Sequence, residues 1–229
     1  NWSQNQMIAG SGSGSQTGAG TFISWNGYIR LWDLVNQKLV NTYNLLWLEL
    51  PQTTSALDNN NLKNLIESSP NFVGPITHLV YSMDGSRFAS RSYNGYINLW
   101  EPAVGDMVQH TVWEHDGETR ELVFSPDGKK LAVVAPKGVR LWDTSTGGSL
   151  LVMTAGQSAL NTGDFSSGGR LFAAGAQDGT IMIWQTSDGV LLSNLKVNGA
   201  VTALKFAPDG DLIAVGTDVG ETILFGVTP

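Results

Sequence analysis

The chain contains no cysteine. That excludes a disulfide framework and a thiolate metal site. It does not fix the compartment, since exported proteins also do without cysteine. No apolar run approaches the roughly 20 residues that a membrane-spanning helix needs. Charged residues are scarce at 14%, and Lys and Arg form no cluster. The net charge is −7 and the pI about 4.8. A nucleic-acid binder carries a basic patch, and anionic membrane surfaces recruit polybasic segments, so both partners are disfavoured. The acidic balance mildly favours basic partners and is ordinary for this size.

Catalytic and metal-binding motifs are missing as well. There is no G-x-S-x-G, H-E-x-x-H or Walker loop and no paired-carboxylate motif. His78, His110 and His115 have no metal-ligand spacing, and no D-x-D-x-D calcium loop occurs. "SGSGSQTGAG" has the glycines of a phosphate loop but neither the lysine nor a following helix. No cofactor, metal or catalytic residue is therefore expected.

What the chain has is glycine, 27 residues of it, and aromatics at 9%. That composition suits short strands joined by tight turns. The strands recur. "IRLWD", "INLWE", "VRLWD" and "IMIWQ" end on Trp32, Trp100, Trp142 and Trp184, and "TILFG" puts Phe225 in the same slot. The intervals are 68, 42, 42 and 41 residues. A second ruler, Tyr81, Phe124, Phe165 and Phe206, gives 43, 41 and 41. A period of 40–45 with an aromatic-ended strand is the mark of a propeller blade.

Each unit reads as four strands. In the third these are roughly Thr119–Ser125, Lys130–Ala135, Gly138–Asp143 and Ser149–Thr154. Pro126-Asp127-Gly128 makes the first turn, proline presetting φ and glycine accepting positive φ. "LAVVA", "LFAAG" and "LIAVG" are nearly continuous apolar runs, as expected of strands covered on both faces. Small residues recur there (Ala132, Ala173, Ala174, Gly175, Ala214, Gly216), consistent with close blade packing. No long amphipathic helix appears. The expected class is all-β: a β-propeller of four-stranded antiparallel blades, about five visible, the first and last incomplete.

On "FSPDGKKLAVV…VRLWD", "GAQDGTIMIW" and "FAPDGDLIAVGTD" the chain resembles the WD-repeat β-propeller family, over nearly its whole length. In that family four residues form a buried hydrogen-bonded tetrad. Its members are an Asp before the third strand, the strand Trp, a strand Ser/Thr, and a His about nine residues before the first-strand aromatic. Asp178 and Trp184 fit two of these places. Asp218 fits one, but Phe225 of its blade has no indole N–H to donate. His115 fits the His slot, and Trp32, Trp100 and Trp142 fit the Trp slot. Asn26 and Asn94 stand where Asp is expected, and Lys137-Gly138 leaves no equivalent. Tetrads this sparse imply a degenerate, bacterial-style member.

The blades are expected at about 1–45, 75–114, 115–155, 156–197 and 198–229, with insertions at 11–21 and 46–74. Within the second, "SALDNNNLKNLIESS" reads as one short helix capped by Asn61. The chain starts at Asn1 rather than Met, at the end of a first strand, and stops after a third. Family members close the ring with N-terminal sequence that supplies the last blade's outer strand. Three readings of the open ends stand: a piece of a longer protein, omitted residues, or a partner chain that completes the ring. No targeting segment is visible, and the compartment stays open.

Turns between second and third strands share a side of the disc with the links between blades. Both insertions therefore fall on one face, the side family members commonly use to hold peptides. Long loops in compact domains are frequently functional. Trp25, Trp47, Tyr93 and Trp113 are expected near that rim, as partner-binding anchors or as local packing. Trp32, Trp100, Trp142 and Trp184 are expected to pack. Asp164 is the one odd carboxylate, read as hydrogen-bonded or turn-facing, while Asp84, Asp127 and Asp209 belong to turns. The function expected is a non-enzymatic protein-interaction scaffold or accessory subunit of a complex. It would hold a protein partner or other domains of the same polypeptide on the inserted face. Two rivals are a sugar- or small-ligand-binding propeller and, with the inner strands bare of carboxylates, more remotely a hydrolase.

Overall fold

A computed structural model describes the backbone at residues 6–13, 26–33, 38–44, 76–92, 95–102, 107–114, 119–210 and 212–226. Side chains are described at 76–92, 95–101, 119–210 and 212–226. These residues form five antiparallel sheets, each a meander in chain order, and no helix occurs among them. The first holds β1 (Gln6–Ser13), β2 (Asn26–Asp33) and β3 (Lys38–Asn44). The second holds β4 (Ile76–Tyr81), β5 (Phe88–Ser92), β6 (Tyr96–Pro102) and β7 (Met107–Glu114). The third holds β8 (Glu121–Phe124), β9 (Lys130–Ala135), β10 (Gly138–Asp143) and β11 (Ser149–Thr154). The fourth holds β12 (Leu160–Phe165), β13 (Leu171–Ala176), β14 (Thr180–Gln185) and β15 (Leu191–Lys196). The fifth holds β16 (Val201–Phe206), β17 (Leu212–Thr217) and β18 (Thr222–Gly226).

Three strands of the third blade fall where the sequence puts them, and the first is trimmed to Glu121–Phe124. One boundary moves more. β1 continues through Ser11-Gly12-Ser13, which pair with Tyr28, Gly27 and Asn26. The start of the Gly/Ser segment is therefore strand, because glycine and serine can join a ladder whose partner strand supplies the hydrogen bonds. The short helix expected within 46–74 lies outside the described residues.

The turn between first and second strands is built the same way in successive blades. In blade 3 the Ser125 hydroxyl donates to Asp127 Oδ1 at 2.6 Å and accepts the Lys130 N–H at 2.9 Å. Gly128, at φ 69°, donates to the Ser125 carbonyl at 2.8 Å. Blade 2 repeats this with Ser82, Asp84 and Gly85 at φ 67°, and Arg87 N–H reaches Ser82 Oγ at 2.9 Å. The left-handed backbone there is why glycine ends the motif.

Adjacent blades share cores. Ile97 and Leu99 of blade 2 pack with Leu122, Leu131 and Val133 of blade 3. Ala132, Val134 and Leu141 of blade 3 pack with Phe165, Phe172 and Trp184 of blade 4. Ala173, Ile181 and Ile183 of blade 4 pack with Leu204, Ile213 and Val215 of blade 5. Successive side chains of a strand point to opposite faces, so "LAVVA" feeds two cores at once. The small residues permit the approach: a Cβ on Gly175 would overlap the Val201 side chain of the next blade.

Candidate interaction surfaces

Two register features repeat that no periodicity reveals. The pairing of third and fourth strands shifts at each tryptophan: Leu31/Trp32, Leu99/Trp100, Leu141/Trp142 and Ile183/Trp184. The first strands of blades 2, 4 and 5 shift near their starts, at Ile76/His78, Leu160/Thr162 and Val201/Ala203. A bulge adds a residue on one strand, increases local twist and re-aims side chains.

Polar staples cross the blade interfaces. Glu121 Oε2 accepts the Thr162 hydroxyl at 2.8 Å and the Gly163 N–H at 2.9 Å. Asp164, the odd carboxylate, does the same work one interface later: Oδ2 accepts the Phe206 N–H at 2.9 Å and Oδ1 lies 3.2 Å from Lys205 Nζ. Its oxygens are thus committed to holding blade 5. His78 is half-buried beside Thr77, its Nδ1 3.0 Å from Thr77 Oγ1. Burial and, second, the Arg91 charge lower its pKa from 6.5, against an opposing pull from Glu121. Among the described residues no group of three His, Asp or Glu side chains is placed to hold a metal ion.

The tetrad positions resolve one by one. Trp100 Nε1 donates to Ser90 Oγ at 2.8 Å in the buried interior, and its ring stacks on Phe88 with centroids 5.9 Å apart. Val133, Ala174 and Val215 occupy the place of Ser90 two residues past the Trp or Phe partner in blades 3, 4 and 5. Those blades have no hydroxyl at that place to link. Trp142 and Trp184 are buried in shared cores, and the Arg140 guanidinium lies 5.6 Å from the Trp142 ring centroid. Asp178 is exposed: Oδ1 accepts the Thr180 N–H at 3.0 Å and Oδ2 meets Lys196 Nζ at 2.9 Å. It therefore braces a surface turn. Lys196 is the first cause of its strongly depressed pKa, followed by Thr180. Asp218 Oδ1 accepts the Ala200 N–H at 2.7 Å and ties its turn to the link entering blade 5. Trp32 stands opposite Met7 and Leu39 in register. His115 lies outside the described residues.

The face carrying the insertions is fixed by blade 1. Ser13 pairs with Asn26, and Tyr28 with Asn44. The chain leaves β1, enters β2 and leaves β3 at one end of the sheet, so the connections at 14–25 and 45–75 start from the same side. Trp25, Trp47 and Tyr93 lie outside the described residues. Trp113 stands in β7 opposite Ile97, with its side chain outside the description.

Residues 148–185 and 189–218 match the family description "WD domain, G-beta repeat". The chain is 27% identical over 151 residues to a guanine nucleotide-binding protein subunit beta of Oryza sativa subsp. japonica, covering 60% of this chain and 40% of that protein. It is 28% identical over 128 residues to the target of rapamycin complex subunit wat1 of Schizosaccharomyces pombe, covering 55% and 40%. It is 24% identical over 150 residues to the U3 small nucleolar RNA-associated protein 21 homolog of the same yeast, covering 61% and 15%. The chain thus spans 40% or less of the length of these relatives. All three are eukaryotic, so the bacterial style expected from sparse tetrads has no support. Residues 148–185 and 189–218 are thus similar to WD repeats, and the 41–43-residue period and the four-stranded meanders agree with that likeness.

Proposed function

We propose that this protein is a non-enzymatic interaction scaffold or accessory subunit. It holds a protein partner, or neighbouring domains of its own polypeptide, on the face from which both insertions leave. The observation that carries this reading is the common exit of the two connections beside Ser13, Asn26 and Asn44. Support comes from the relatives, two of which are named as subunits, of a G protein and of a target of rapamycin complex. The carboxylates on the first strands of blades 3 and 4, Glu121 and Asp164, serve blade-to-blade hydrogen bonds, which speaks against a hydrolase.

The test is differential capture by the native chain and by one whose residues 46–74 are replaced by a short Gly/Ser linker. A scaffold using this face loses one stoichiometric set of proteins in the shortened chain. Trp25→Ala, Trp47→Ala, Tyr93→Ala and Trp113→Ala then locate the anchors. An identical set from both chains removes this face from consideration.

A further inference from the structure

Between blades 4 and 5 the chain crosses on a short link, Val197-Asn198-Gly199-Ala200, anchored at both ends. Val197 is buried, and its N–H donates to the Gly179 carbonyl at 2.9 Å. Ala200 donates to Asp218 Oδ1 at 2.7 Å and accepts the Asp218 N–H at 3.0 Å. Between these anchors the backbone bends without a closing hydrogen bond. Asn198 is exposed, and Gly199 has the left-handed φ of 81° that glycine adopts readily. Among the described residues neither the Asn198 amide nor the Gly199 N–H has a hydrogen-bond partner.

Other glycines that follow Asp or Asn are placed differently. In Asp84-Gly85, Asp127-Gly128, Asp178-Gly179, Asp188-Gly189 and Asp209-Gly210 the glycine N–H donates to a backbone carbonyl at 2.8–3.1 Å. Gly95, after Asn94, donates to the Ser92 carbonyl at 3.0 Å. Those nitrogens are held in closed turns. Gly27, after Asn26, lies within β2 opposite Gly12.

We propose that Asn198 is a site of spontaneous deamidation in the folded protein. The Gly199 nitrogen attacks Asn198 Cγ. A bond from that nitrogen to Cγ forms, the bond from Cγ to Nδ2 breaks, and Nδ2 leaves as ammonia with the proton that Gly199 gave up. The product is a succinimide, with the Gly199 nitrogen joined to two carbonyl carbons. Water then opens the ring. Cleavage at Cγ leaves an aspartate. Cleavage at the main-chain carbonyl leaves an isoaspartate, whose backbone runs through the side chain. One water is consumed and one ammonia released. Glycine favours the attack because no Cβ shields its nitrogen. A nitrogen already donating in a closed turn must first give up that bond.

Either product puts a carboxylate where a neutral amide stood. It adjoins the glycine that packs on Asp218, since a Cβ built on Gly199 would lie 2.6 Å from Asp218 Oδ1. The isoaspartate also adds one methylene to a backbone pinned at Val197 and Ala200. The Ala200–Asp218 bonds are the ones that yield, so the entry into blade 5 loosens. The modification is independent of which partner the protein holds.

The experiment ages the full chain in neutral and in mildly alkaline buffer, folded and in urea, and maps its tryptic peptides by mass and elution. Asn198 falls in the peptide Val197–Lys205, and Asn94 in the one from Ser92 to Arg120. In the folded chain Val197–Lys205 should gain one mass unit and resolve into aspartate and isoaspartate forms, several-fold faster than the Asn94 peptide. Alkali should speed it, because the attacking nitrogen must lose its proton. In urea the two peptides should convert at similar rates. Asn198→Gln should abolish the change in the first peptide and leave the second as it was, since the longer side chain closes a less favourable ring. In the isoaspartate fraction, amides of Ala200 and Asp218 should exchange faster than in Asn198→Asp, which adds the charge without lengthening the backbone. Equal rates for the two peptides in the folded chain, faster conversion at Asn94, or an Asn198 that converts only in urea overturns the proposal. Native exchange at Ala200 in the isoaspartate fraction overturns the loosening of blade 5.

Discussion

Leu131 and Ala132 are adjacent in β9, yet they belong to different cores. Leu131 packs with Ile97 and Leu99 of the preceding blade, and Ala132 with Phe172 and Trp184 of the following one. β8, β9 and β10 are each a wall between two interiors. No blade can bury its apolar faces alone, so stability is carried by the interfaces. Leu131→Ala should cost about 2–5 kcal/mol. Ala132→Leu should cost about 1–3 kcal/mol by overpacking. Hydrogen exchange separates them: the first accelerates amides of β6, the second those of β13 and β14. Equal acceleration of both blades by either variant would contradict separate cores.

Close approach at the next interface has its own test. Gly175 faces Val201, and an added Cβ would overlap the valine side chain. Gly175→Ala should destabilise by about 1–3 kcal/mol. Val201→Ala should restore part of that loss in the double variant, because it removes the atoms in the way. A double-mutant cycle by urea denaturation reads the coupling. Additive effects would mean that the backbone, rather than Val201, limits the site.

The one described indole–serine bond should be worth more than its neighbours' shapes suggest. Ser90→Ala leaves Trp100 Nε1 buried beside a methyl group, at an expected cost of about 1–3 kcal/mol. The indole N–H proton should move upfield in the NMR spectrum. An unchanged resonance would show that the proton was never held by Ser90.

Much of this architecture was legible in the sequence because repetition and alternation are chain-local. The tryptophan ruler, the Ser-x-Asp-Gly turns and the double-sided apolar runs each rest on neighbouring residues. The shifts at Trp32, Trp100, Trp142 and Trp184 were not legible. A bulge changes which residues oppose each other without changing the order of residue types. The duty of Glu121 and the partner of Asp164 were also hidden, because Gly163 and Phe206 are each 42 residues away. Asp178 fits a family position by spacing. Its carboxylate turns outward because Lys196 is within reach and Ala174 offers no hydroxyl inside. Asn198-Gly199 and Asn94-Gly95 read alike in the sequence, and only the hydrogen bonding of the two glycines separates them.

Acid should weaken the fold in two stages. His78 has a folded-state pKa below 6.5, so its neutral form is favoured on folding. Its contribution is full above that value and is lost as pH falls through it. Asp143 is held at about 2 by the Ser145 hydroxyl and the Thr146 N–H. Asp84 is lowered by Ser82 and Ser86, and Asp127 by its Ser125 and Lys129 hydrogen bonds, against burial. Depressed carboxylates stabilise above their unfolded values near 3.9 and release that contribution as pH falls further. Urea midpoints should therefore decline gently below pH 6.5 and steeply below about 4. His78→Gln should flatten the first decline only, and Asp143→Asn should reduce the second. A midpoint independent of pH between 7 and 5 in the native chain would exclude the histidine stage.

Glu121 and Asp164 test whether the first-strand carboxylates here are structural. Glu121 satisfies a backbone N–H and a hydroxyl of blade 4, and Asp164 a backbone N–H of blade 5. Removing either acceptor leaves its donors without the partner they hold, at about 1–3 kcal/mol each. Glu121→Ala should lose the full amount. Glu121→Gln should lose less, since its amide oxygen can still accept from Gly163. Asp164→Asn should behave likewise and spare the Phe206 bond. The two alanine effects should add, because each carboxylate serves a different interface. Amide exchange at Gly163 and Phe206 distinguishes them: Glu121→Ala should expose the first, Asp164→Ala the second. If Asp164→Ala left Phe206 protected and the midpoint unchanged, Asp164 would have no structural duty, and a chemical role for it would have to be sought.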